Sequence, residues 1–203
     1  MNTLLKSTVA VSLFSLLAIS ANAQGDNTAG QGGPPVLATD LAPARFGTRL
    51  LVTSPAFSSG GTINERYTQN GANMSPSLDW GKAPTGTRSF AVFVADAGVN
   101  RPEPIMHWIV YNIPSSTRRL PSQVPGETSL PNGVMQGKNA SGNPTYIGPK
   151  PPAGQTHPYH FQVFALDTTL DIDPANADRM TLINAMKGHV LASGSVIGRY
   201  TGQ

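Results

Sequence analysis

The sequence predicts a mainly β, sandwich-like domain with one short helix near its C-terminus. Three observations predict it. Charged residues make up 12% of the chain, against roughly 25% in a typical domain, and 21 glycines and 18 prolines supply abundant turn chemistry. Strand-length apolar runs follow one another, and the one segment with helical spacing comes late. Neither an internal repeat nor an alternation of strands with helices is present, which argues against a parallel α/β sheet.

The N-terminus stands apart from the domain. Lys6 precedes an apolar run from Val9 to Ile19, and Ala21-Asn22-Ala23 has the small-x-small pattern of a cleavage site. Residues 1–23 therefore read as a secretory signal peptide, and the run is short for a membrane span. A retained N-terminal anchor is the competing reading. The expectation is an exported protein, periplasmic or secreted, with no transmembrane segment in the mature chain. Residues 24–44, dominated by Gly, Pro, Asn27 and small residues, read as a flexible leader, and 45–203 as one β domain.

Composition narrows the function classes. The formal net charge is +3, and loss of Lys6 with the signal peptide lowers it further. That is too small to imply nucleic acid or an anionic membrane as partner. The absence of cysteine excludes disulfides, thiolate catalysis and cysteine-ligated zinc.

Each element has its own justification. Arg49 to Thr53, with Phe57, reads as a first short strand, broken at Ser54-Pro55. Leu78 and Trp80 share one face of an extended segment. Arg88 to Ala95 is a continuous apolar strand, buried on both faces if central, and Asp96 continues the parity of Phe90, Val92 and Val94. The loop from Ala97 to Pro104 carries two prolines and cannot join a central sheet. In the next strand alternation places His107, Ile109, Tyr111 and Ile113 on one face and Met106, Trp108 and Val110 on the other. Residues 115–149 show no periodic element. Tyr159 to Leu166 is a third strand, with His157, Tyr159, Phe161 and Val163 on one face. A helix is expected from about Ala177 to Lys187, burying Met180, Ile183 and Met186 and stopped by Gly188. Val190 to Tyr200 forms the last strand.

The common catalytic, nucleotide and cofactor motifs are missing: the sequence has no G-x-S-x-G, P-loop, G-x-G-x-x-G or H-E-x-x-H. Asn73 and Asn139 begin glycosylation-like triplets, which are too short to carry weight. What remains is Asp96, His107, His157 and Tyr159, all at or near strand ends. Imidazoles oriented by a carboxylate, with a tyrosine hydroxyl beside them, can donate hydrogen bonds to a phosphate or carboxylate. Each alone could equally be a satisfied polar residue. His160 and His189 share no face with the others and are assigned that role.

The order and spacing of several blocks resemble the phosphatidylethanolamine-binding protein family, specifically its bacterial Raf-kinase-inhibitor-like branch. They are N-M-S-P-S-L-D-W (Asn73 to Trp80), H-W-I-V-Y-N-I-P (His107 to Pro114), G-K-N-A-S-G-N-P-T-Y-I-G-P-K-P-P (Gly137 to Pro152), H-P-Y-H-F-Q-V-F-A-L-D (His157 to Asp167) and A-M-K-G-H-V-L-A (Ala185 to Ala192). The resemblance implies a Greek-key-like β-sandwich with one small pocket for phosphate or a phospholipid headgroup. It implies ligand-binding roles for Asp96, His107, Pro151, Pro152, His157 and Tyr159, and neither a cofactor nor a metal. The chain departs from the family's D-P-D-x-P motif at Gly98 and Asn100 and from its H-R-Y motif at Pro158. The acid and the arginine missing at Gly98 and Pro158 are expected to have been partners, which requires those positions to be close.

The leading functional expectation is therefore an exported binding protein for a small anionic ligand. One alternative is a hydrolytic enzyme using the Asp/His cluster, directly or through a metal held by both histidines and Asp96. The other is a protease-inhibitor or protein-interaction module, and a homodimer or other protein partner stays open.

Overall fold

Apolar runs that the sequence places between turns become the long strands of a central sheet. The computed structural model describes residues 33–203; the expected signal peptide and the first part of the expected leader lie outside the described residues. In chain order the strands are β1 (Val52–Thr53), β2 (Leu78–Trp80), β3 (Ser89–Asp96), β4 (Ile105–Pro114), β5 (Arg119–Leu120), β6 (Met135–Gly137), β7 (Thr156–Leu166) and β8 (Val190–Thr201). Helix α1 (Ala38–Leu41) precedes them, and α2 (Arg179–Met186) lies between β7 and β8.

Five strands form one antiparallel sheet in the order β6-β4-β3-β7-β8, and β1-β2-β5 form a second, three-stranded sheet. β3 and β4 are a hairpin. The chain then leaves through β5 and β6 and returns as β7 on the other side of β3, the long-return connection of a Greek-key sandwich. The outer edge of β8 is not left bare, because Arg49, Thr62 and Ala153 form isolated parallel bridges to Ser193, Arg199 and Gly202.

Two apolar layers result. Val52, Leu78, Trp80 and Leu120 of the small sheet pack on Phe90, Val92, Val94, Trp108, Phe161 and Val163 of the large one. On the other face Phe93, Ile109, Tyr111 and Phe164 are covered by Leu182, Ile183 and Met186 of α2 and by Ala38 and Ala42. β3 is thus buried along its whole length, which is why its sequence is continuously apolar instead of alternating. Each large side chain removed from water contributes on the order of 1.5–3 kcal/mol relative to exposure.

Three expectations need correction. First, the faces of β4 do not alternate cleanly. The β3–β4 register shifts between Phe90 and Val92 and again between Val94 and Ala95. Each shift leaves one extra residue in β4, Asn112 at the first and His107 at the second. Asn112 has a left-handed φ of 57°. These bulges send Trp108, Val110 and Ile113 into the inter-sheet core and Met106, Ile109 and Tyr111 to the opposite face. Ile113 and His107 therefore do not share the face of Ile109.

Second, the leader does not stay flexible to Ala44. Ala38 and Ala42 are buried, the Thr39 amide donates to Gln162 Oε1 at 3.1 Å, and the Val36 amide donates to the Pro102 carbonyl at 3.0 Å. Third, α2 is shorter than expected and turned on its axis. Asp178 caps it by accepting from the Thr181 amide at 2.8 Å, and Leu182 is buried while Met180 is 39% exposed.

Candidate functional site

Three adjacent strands bring the polar residues together. β3 ends at Asp96, which pairs in register with Tyr159 of β7 and with Ile105 of β4. The bulge at His107 turns that imidazole to the side on which Tyr159 lies. His107 and Tyr159 meet edge to face, with ring centroids 5.2 Å apart. His157 stands two residues before Tyr159 on the same face. Asp96, His107, His157 and Tyr159 thus converge, as the sequence leads one to expect, while His160 lies on the other face and His189 bonds Asp167.

Asp96 is 3% exposed and fully occupied within the protein. Its Oδ1 accepts from the Gly98 amide at 2.7 Å, and its two oxygens lie 3.0 and 2.8 Å from His157 Nδ1. The first bond closes a tight turn after β3. That turn presses Gly98 against the imidazole: a Cβ there would lie 2.3 Å from His157 Cγ, so only glycine lets the ring keep this position. The Ala97 amide donates to the Pro158 carbonyl at 3.0 Å, so the two positions of departure, Gly98 and Pro158, are indeed neighbours.

His107 is anchored from the other side, through Nδ1, which donates to the Ile147 carbonyl at 2.6 Å. Burial lowers its pKa below the ordinary imidazole value, and the Ile147 bond and the Asp96 charge only partly offset this. Tyr159 is 1% exposed, and its hydroxyl makes no hydrogen bond of ordinary geometry within the protein, although the Asp96 carboxylate and the Lys150 backbone lie close to it. Burial first, and then the nearby Asp96 carboxylate, hold its pKa far above the ordinary phenol value.

Pro151 is buried and Pro152 exposed. Their contribution visible here is the turn that leads into β7, where the Gln155 amide donates to the Pro152 carbonyl at 3.0 Å. Gly202 pins this turn, since a Cβ there would meet the carbonyls of Pro151 and Pro152 at 2.3 and 2.2 Å. Among the described residues no group of three or more His, Asp or Glu side chains is arranged to hold a metal ion. Surface depressions of about 420 and 370 Å³ lie elsewhere, one between Thr48 and Ser195 and the other among Arg101, Lys138 and Arg179. Neither depression is lined by Asp96, His107, His157 or Tyr159.

Sequence reasoning missed several supporting residues. Asn73, at a left-handed φ of 54°, accepts from the Gly148 amide at 2.7 Å and so holds the segment that anchors His107. Asn139 is 5% exposed, and its side chain accepts from the Ser141 and Asn143 amides. Gln155 Oε1 lies 3.3 Å from His157 Nε2. Gln155 lies in the turn just ahead of β7, where strand alternation says nothing of its direction, and the others act across long loops and leave no local signal.

Comparison with known proteins places these features in context. The sequence profile of the phosphatidylethanolamine-binding protein family matches residues 53–201. A UPF0098 protein of Methanothermobacter thermautotrophicus is 41% identical over 146 residues, 71% of this chain and 94% of the relative. The UPF0098 protein YbhB of Escherichia coli is 37% identical over 134 residues, 65% of this chain and 84% of the relative. Among solved structures, E. coli YbcL, described as a member of the mammalian PEBP family, superposes with a TM-score of 0.70 at 30% identity, covering 77% of this chain and 100% of its own. A Chlamydia trachomatis homologue of phosphatidylethanolamine-binding protein gives a TM-score of 0.68 at 29% identity, covering 77% of this chain and 99% of its own.

Proposed function

The chain belongs to the phosphatidylethanolamine-binding protein family, and from that premise we propose that it is an exported binding protein holding a small anionic ligand, a phosphate or a phospholipid headgroup. The contacts are made by His107, His157 and Tyr159. Asp96 orients His157, and the Pro151-Pro152 turn shapes the approach. One observation carries this reading: the buried Tyr159 hydroxyl makes no hydrogen bond of ordinary geometry in the protein, its ring meets that of His107, and both His107 and His157 are tied down through Nδ1. A buried polar group left without a partner costs about 1–3 kcal/mol, and a ligand oxygen would relieve that cost.

The protonation states follow from the geometry. With its pKa lowered by burial, His107 is neutral near pH 7, keeps its proton on Nδ1 and offers Nε2 as an acceptor. A hydrogen phosphate can donate its hydroxyl to that nitrogen. At lower pH the ring gains a proton and donates to the anion instead, so binding strengthens as pH falls. Calorimetric titration with inorganic phosphate and with phosphoethanolamine at pH 6 tests the reading. Saturable heat is expected, and it should be lost in the His107→Ala, His157→Ala double variant. Absence of heat, or unchanged affinity in the double variant, rejects it.

A further inference from the structure

The anion site described above leaves one contact without a function. His157 Nδ1 is committed to Asp96, so Nε2 is the ring atom left for a ligand, and the atom that meets it is Gln155 Oε1 at 3.3 Å. Gln155 differs from the rest of the cluster in being exposed. Its backbone is nevertheless fixed: its amide donates to the Pro152 carbonyl, and its own carbonyl accepts from the Gly202 amide at 3.0 Å. A fixed root and an exposed side chain describe a group that can swing without moving the turn.

The amide also suits both protonation states of the ring. Its oxygen accepts from a protonated Nε2, and after rotation its NH₂ donates to a bare one. The protein thus satisfies the outer nitrogen of His157 with a group of its own. Any ligand oxygen that bonds His157 Nε2 must take the position of that amide.

We infer that Gln155 is an internal stand-in for the ligand, a positioning residue that bonds His157 Nε2 and must be displaced by the incoming anion. It sets the affinity threshold and keeps the imidazole in its binding orientation between ligands. This inference rests on the anion-site reading of His107, His157 and Tyr159.

Removing the stand-in should therefore tighten binding, which loss of a merely structural side chain would not do. Inorganic phosphate is titrated calorimetrically at pH 6 into the wild-type protein and the Gln155→Ala, Gln155→Glu and His157→Ala variants, with thermal melts to confirm folding. Gln155→Ala is expected to bind phosphate roughly two- to tenfold more tightly, the range covered by one net hydrogen bond. Gln155→Glu places a carboxylate against the ring and is expected to weaken binding about tenfold or more through like-charge repulsion of the anion. If both Gln155 variants bind within twofold of wild type, or Gln155→Ala binds more weakly, while His157→Ala abolishes binding, the stand-in role is overturned and the anion site stands. If wild-type protein binds no phosphate, the anion site is overturned and the role of Gln155 falls with it.

Discussion

Tyr159 buries a hydroxyl that no neighbour satisfies, so its replacement separates stability from function. Tyr159→Phe removes the unpartnered group and keeps the ring against His107. The empty protein is predicted to be as stable as wild type or more stable by about 1 kcal/mol in urea denaturation, while phosphate affinity falls severalfold. Gly98 makes the opposite case. Gly98→Ala forces its Cβ against His157 Cγ, and the ring or the turn must give way. Destabilisation of about 1–3 kcal/mol is expected together with loss of phosphate binding; a variant with wild-type stability and affinity would contradict the packing described. At this scale Asp96, His157 and Tyr159 were legible from their parity in the strands, whereas the face of His107 and the partners of all four were not. The bond from the Gly98 amide to Asp96 has a local signature, an Asp followed two residues later by Gly, but nothing near Asp96 in the sequence indicates that its carboxylate also meets His157.

The elements that place these residues differ in how well the sequence encodes them. β7 alternates without interruption, and its site face was readable from His157, Tyr159, Phe161 and Val163. β4 was misread because an inserted residue carries no compositional mark. His107 reaches the site through a bulge, and strict alternation places it with Ile109. The packed segment from Val36 to Ala44 was missed because it is short and follows directly on the Gly- and Pro-rich run from Gly30 to Pro35, although its amides bond Pro102 and the Gln162 side chain. One surface clasp joins this N-terminal region to the β7 end. Asp167 bonds His189 Nδ1 at 2.8 Å and Arg45 Nη2 at 2.6 Å. These partners, His189 first, hold the Asp167 carboxyl below its ordinary pKa. A depressed carboxyl pKa stabilises the fold above the unfolded value, near pH 4, and that stability is lost as pH falls through the folded value. Asp167→Asn is therefore predicted to cost about 0.2–1 kcal/mol at pH 7 and less at pH 3, read from denaturation curves at the two pH values. An equal loss at both would contradict the assignment.

For the whole molecule, the sandwich was legible because its determinants are local: low charge, frequent turns and two strands apolar on both faces. The pairing order of the sheet was not, since β7 joins β3 across more than forty residues of loop and short strand with no periodic signal of their own. The same long return brings the start of β7 beside the end of β3, so the fold itself assembles the cluster of Asp96, His107, His157 and Tyr159. The four histidines test that construction within one sample, because His107 and His157 lie in the cluster while His160 and His189 lie outside it. Imidazole nitrogen resonances of ¹⁵N-histidine-labelled protein, followed by NMR during titration with inorganic phosphate at pH 6, read all four together. Saturable shifts at His107 and His157, with His160 and His189 unmoved, are the predicted result; shifts confined to His160 or His189, or none at any ring, would contradict the account.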